Sequence, residues 1–206
     1  MSTNEDNKEY IFEPICFSTN YENFSSISTM KHYFMSTNCL NIEYTNNDSK
    51  VTFTHELKIG NNNSHIVCKN TYIEISPFSK NIIINDEIDC FIIFFDLEYN
   101  DSLVELNKIL KMISDVCDTD KKIFVISIYT NEKNIKNDIN EETVQTFFGR
   151  YMLNNYEILT VDIDSQDDFS NKIDKITKVM LQEKNLITSD IKDLDNDKSK
   201  SLCLIY

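Results

Sequence analysis

Hydrophobic and polar positions change their period several times along the chain, and each change marks an element. Tyr10 to Phe17 reads as a first strand, and Ser25 to Met35 as a helix entered through serines that can cap it. Val51 to Ile59 and His65 to Ile75 read as the two strands of a hairpin around Gly60-Asn61-Asn62-Asn63, a turn rich in residues that tolerate positive φ. Cys90 to Leu97 (CFIIFFDL) is nearly all apolar, as expected of a central strand buried on both faces. Leu103, Leu106, Ile109, Leu110 and Ile113 follow at helical spacing, after Asp101 or Ser102 as N-cap.

The strand-then-helix pattern then repeats twice. Lys122 to Tyr129 precedes a helix carrying Val144, Phe147, Phe148 and Tyr151, and Glu157 to Ile163 precedes one carrying Phe169, Ile173, Ile176 and Met180. Right-handed crossovers stack such units into one parallel sheet. Beyond about Glu183 the periodicity is lost. The expected division is a disordered segment over 1–9, one domain over 10–185 and a charged tail over 186–206.

The order of elements, and the stretch IDCFIIFFDLEYNDSL from Ile88 to Leu103, resemble small GTPases of the Ras and Rab families over roughly Tyr10 to Gln182. The resemblance implies an α/β fold, small-GTPase-like (P-loop NTPase-like): a mostly parallel sheet flanked by helices, with one antiparallel edge strand.

The nucleotide motifs are missing from their places. A phosphate loop, G-x-x-x-x-G-K-[ST], uses glycines to let backbone amides close on phosphate, with lysine supplying charge and the hydroxyl holding magnesium. By spacing, this chain offers Ser18, Asn23, Phe24 and Ser25 there, so only the hydroxyl survives, and Ser25 reads as a helix cap. Ile73-Glu74-Ile75-Ser76-Pro77-Phe78 lacks the D-x-x-G of the second switch. Where the guanine-reading N-K-x-D belongs stand Ser127, Ile128, Tyr129 and Thr130, and Val161-Asp162-Ile163 takes the place of S-A-K. No cofactor is expected.

No other catalytic set replaces them. His32, His55 and His65 lie far apart without metal-ligand spacing, so no metal is expected. Asp167-Asp168 and Glu141-Glu142 are expected to precede helices, where carboxylates favour the dipole. Asp96 ends a central strand, where α/β folds place functional groups. With no partner legible beside it, Asp96 reads as structural, and the chain reads as no enzyme.

Composition narrows the partners. A net charge of -14 should repel phosphate backbones and anionic membranes, so no direct nucleic-acid contact is expected. The six cysteines, Cys16, Cys39, Cys68, Cys90, Cys117 and Cys203, show no C-x-x-C pair and read as buried reduced thiols. The polar, acidic start and the lack of any apolar stretch near the roughly 20 residues needed to span a bilayer lead us to expect a cytosolic or nuclear protein.

Two readings from different classes follow. Cys203-Leu204-Ile205-Tyr206 has the C-a-a-X form of a prenylation signal, which fits a Rab-like protein in membrane traffic with a degenerate nucleotide site. Tyr206 is an unusual last residue, however, and Asp190, Asp193, Asp195 and Asp197 dilute the basic residues before it. The other resemblance is to the centromere protein M family of pseudo-GTPases. It is carried by Ile88-Asp89 through Leu97, Ser102-Leu103, Glu142-Thr143-Val144 to Tyr151, and EILTVDID (Glu157 to Asp164) with Phe169 and the helix to Gln182. It implies a scaffold subunit of the inner kinetochore in the nucleus, held by centromere proteins I, H and K, without a membrane.

Overall fold

A computed structural model of the chain describes residues 9–20, 39–44, 50–59, 64–74, 88–116, 120–129, 135, 141–162 and 165–184. The strands are β1 (Glu9–Phe12), β2 (Ile15–Ser18), β3 (Cys39–Tyr44), β4 (Lys50–Ile59), β5 (Ser64–Glu74), β6 (Cys90–Asp96), β7 (Lys122–Tyr129) and β8 (Tyr156–Asp162). The described helices are α1 (Ser102–Val116), α2 (Glu141–Arg150) and α3 (Gln166–Glu183). The strands form one sheet in the order β3-β4-β5-β2-β6-β7-β8, with β1 also on β5. The chain is therefore α/β, with a mostly parallel sheet flanked by helices.

The expected first strand is present but interrupted. Both halves hold one register against β5, with Phe12 opposite Asn70 and Ile15 opposite Ile73. The break falls at Glu13 and Pro14, because proline has no N–H to give a ladder and is confined to irregular points of a sheet. Its carbonyl still accepts from the Ile73 N–H at 3.1 Å. Asp89 supplies the bond on the other side: its Oδ2 accepts the Glu13 N–H at 2.7 Å. Lys184, following α3, pairs with Asp89 Oδ1 at 2.5 Å and lies 5.0 Å above the Phe12 ring.

The hairpin forms as expected, antiparallel from Lys50 opposite Ile73 to Ile59 opposite Ser64. Its reversed strand is not at the edge, however, which corrects the expected arrangement. β3 pairs with the far side of β4, and among the described residues the sheet ends there. Leu40, Ile42 and Tyr44 alternate with Asn41 and Glu43, a strand pattern too short to stand out among the polar residues around it. The Gly60–Asn63 turn and the helix expected over Ser25–Met35 lie outside the described residues.

The core has two layers because β6 is apolar on both faces. Cys90, Ile92 and Phe94 face the layer of Phe169, Ile173, Ile176, Met180 and Leu181 from α3. Phe91, Ile93 and Phe95 face Leu106, Ile109, Leu110 and Ile113 of α1 and Phe148 of α2. At roughly 1.5–3 kcal/mol for each fully buried large apolar side chain, these two layers are the main favourable term in folding.

The helix ends correct the sequence in detail. Ser102 opens α1 and Asp101 takes the cap position, its carbonyl accepting from the Glu105 N–H at 3.0 Å. The acidic pairs Asp167-Asp168 and Glu141-Glu142 sit inside the first turns rather than before them, still where a carboxylate favours the dipole. Tyr151 falls just past α2. There Leu153 N–H bonds Phe148 C=O at 3.0 Å and Met152 N–H bonds Gly149 C=O at 3.2 Å, a Schellman ending with buried Phe148 and Leu153 as its apolar pair.

Candidate functional site

In an open α/β sheet, ligands dock outside the carboxyl ends of the strands, where the chain turns from building one half of the sheet to the other. Here that point is the end of β2. The chain builds β3, β4 and β5 on one side of it, then β6, β7 and β8 on the other.

Ser18, Thr19, Asn20, Asp96 and Ser102 meet there. Ser18 and Thr19 are buried because β2 continues one residue past its last ladder pair, Thr19 N–H bonding Phe94 C=O at 3.0 Å. The Thr19 hydroxyl oxygen accepts the Asp96 N–H at 3.0 Å and donates to Ser102 Oγ at 3.1 Å. Ser102 Oγ in turn donates to the Asp96 carbonyl at 2.5 Å. Asn20 Nδ2 donates to Asp96 Oδ2 at 2.7 Å, and the Glu98 N–H to Asp96 Oδ1 at 2.8 Å. The backbone N–H, the carbonyl and both carboxylate oxygens of Asp96 are thus all bonded within the chain. The sequence left Asp96 without a partner; it has several, and they make it a structural anchor.

The positions matched to nucleotide motifs fall into three groups. Ser18 is at this site, but its Oγ accepts the Asn20 N–H at 3.2 Å, closing a turn of its own chain. Asn23, Phe24 and Ser25 lie outside the described residues, as do Thr130, Ile163 and 75–78. Ser127 and Ile128 are buried at 2% and 3% exposure, and Tyr129 is half-buried. Ile128 packs in the α3 layer. Ser127 Oγ is buried with no hydrogen-bond partner among the described residues. On the last strand Val161 is buried, and the Asp162 N–H bonds Asp168 Oδ2 at 3.3 Å.

The remaining candidate chemistry is dispersed. His55 and His65 sit on β4 and β5, opposite Cys68 and Lys58 respectively, and His32 lies outside the described residues. Among the described residues, no three His, Cys, Asp or Glu side chains group as metal ligands would. Cys16, Cys68 and Cys90 are buried free thiols. Burial, with the charge of Asp174 added, pushes the Cys68 thiol up to about 12. Burial also raises Cys90, helped by Asp89 and Glu183 and opposed by Lys184. Both therefore stay protonated at neutral pH and are poor nucleophiles. Cys117 and Cys203 lie outside the described residues, and among those residues no helix is long and apolar enough to cross a membrane.

The roles of Thr19, Asn20 and Asp89 were not legible in the sequence. Their partners stand more than 70 positions away, and only strand pairing brings them together. Compared with protein-family models and with curated proteins, the chain matches none.

Proposed function

We propose that this chain is a non-catalytic pseudo-GTPase scaffold, a subunit of a permanent assembly rather than a switch. The observation that carries the reading is Asp96. At the strand ends where an α/β sheet would receive a ligand, Thr19, Asn20, Ser102 and the Glu98 N–H between them bond every polar atom of that residue. With each of its polar atoms already bonded within the chain, Asp96 has little left to offer a nucleotide or its magnesium. The sheet, parallel except at β4 and with β3 added outside it, is compatible with a small-GTPase core. Without ligand exchange there is no second state for a ligand to favour, which leaves a constitutive interface as the use of the fold.

The partner assembly is the inner kinetochore, beside centromere proteins I, H and K. This part of the proposal rests on the resemblance of Ile88 to Leu103 and of the segments up to Gln182 to the centromere protein M family. A tagged copy at native expression should form centromeric foci and co-purify with large helical subunits without added nucleotide. A vesicular signal through mitosis, together with a prenyl adduct at Cys203 in the intact mass, would instead establish the membrane-traffic reading.

A further inference from the structure

We propose that the surface where α1 and α2 meet, centred on Arg150, is the docking site for a carboxylate-bearing segment of a partner protein. The inference rests on the scaffold reading and names the surface through which the scaffold is held. Arg150 is the only arginine of the chain. It is exposed, and its guanidinium is oriented: Nη1 donates to Asn107 Oδ1 at 3.1 Å and the group stands 5.6 Å from the Phe147 ring centre. Tyr151 Oη donates to the same Asn107 oxygen at 3.0 Å, so one carboxamide on α1 holds both the last side chain of α2 and the one that follows it. A planar fork held this way has donors left for a carboxylate, to which its geometry is matched.

The surroundings favour that occupant. Val104, Asn107 and Lys111 form one stripe of α1, and Thr143, Phe147 and Arg150 the facing stripe of α2, by helical spacing. These positions carry two cations and no acid, in a chain of net charge -14. Val104 is 54% exposed and Met152 74% exposed, so apolar area lies beside the charge. Arginine, tyrosine, phenylalanine and methionine are the residues enriched where proteins meet. Met152 also holds φ at 56°, a left-handed conformation that glycine would adopt more cheaply. A side chain kept at an unfavourable backbone position with about three quarters of its surface in solvent adds little to the core. A phosphate polymer would meet the same guanidinium, but the net charge of the chain opposes it.

The test uses the full chain in its own cells, with a photo-crosslinking residue at exposed Thr146 on α2 or, for comparison, at exposed Asn171 on α3. Crosslinks from Thr146 should map to a partner segment containing Asp or Glu. Arg150→Glu should lower recovery of that partner by about ten-fold or more. Replacing the crosslinked partner carboxylate by arginine should restore it. Met152→Gly should weaken the partner's hold while raising the melting temperature of the isolated chain, a split that a purely structural role would not produce. Partner crosslinks from Asn171 alone, or wild-type recovery with Arg150→Glu, would overturn this surface and leave the scaffold reading standing. If no stable partner is crosslinked from either face, the scaffold reading falls and this inference with it.

Discussion

An aspartate stands at each end of the central strand, and the two ends of the sheet use it differently. Asp89, just before β6, ties three parts of the chain together by charge: the break in the first strand through the Glu13 N–H, the end of α3 through Lys184, and β6 itself. Asp96, the last residue of β6, is held by two hydroxyls, a carboxamide and backbone groups, all close to the strand end. A buried charge with one dedicated counter-ion is costly to disturb, whereas a network of neutral donors spreads the loss over several bonds. The end that carries charge should therefore be the mechanical one, and the end where ligands dock in such folds should be the more tolerant.

Asp89→Ala breaks this comparison most directly. The Asp89 side chain is 8% exposed, and its removal leaves the Glu13 N–H without its acceptor and Lys184 without its partner. A loss of about 3 kcal/mol is expected in urea unfolding. Lys184→Met keeps the Glu13 bond but leaves the buried Asp89 carboxylate without its counter-ion, so it should also destabilise clearly. At the other end, Thr19→Val removes the acceptor of the Asp96 N–H and the donor to Ser102, for about 1–2 kcal/mol. If Thr19→Val proves the costlier of the two, the contrast between the ends is wrong.

The ending of α2 offers gains instead of losses. Met152→Gly should stabilise by about 1 kcal/mol, since only glycine takes a left-handed φ without a Cβ penalty. Gly149→Ala should add about 0.5–1 kcal/mol, because a Cβ there meets nothing within 4 Å and alanine is the better helix former. Thermal melting of the single and double variants would show whether the two gains add.

A smaller, pH-dependent effect is expected at Asp174 on α3. Burial raises its pKa, with Lys178 pulling the other way. Because the folded value lies above the unfolded one, the folded state holds this proton more tightly. That contribution is full below the unfolded pKa and is lost as pH rises through the folded one. Asp174→Asn should therefore melt near wild type in acid and above it at neutral pH. An equal difference at both would remove burial as the cause.

The contrast between the two ends also marks what the sequence could reveal. The apolar run from Cys90 to Phe95 and the helical spacings at Leu106, Ile109 and Phe148 are local patterns; they predicted β6 to within a residue and placed α1 and α2 without fixing their ends. The arrangement of Asp96 with Thr19, and of Asp89 with Glu13, depends on β2 lying beside β6, which no local pattern encodes. The break at Pro14 in the strand expected over Tyr10 to Phe17 was not anticipated, and nothing nearby said that an aspartate and a lysine from distant elements would mend it. β3 was missed for a related reason, since six alternating residues gain their meaning only when β4 is there to pair with them.

If the described strand ends around Asp96 are as closed as their hydrogen bonds make them, a nucleotide should find no purchase there. Isothermal calorimetry of the purified chain with GTP and with GDP, magnesium present, tests it most directly. No binding heat is expected for either nucleotide, and the same for Phe24→Lys, since one restored cation leaves Asp96, Thr19 and Ser127 as they are. Micromolar affinity for GTP or GDP in the wild-type chain would contradict it.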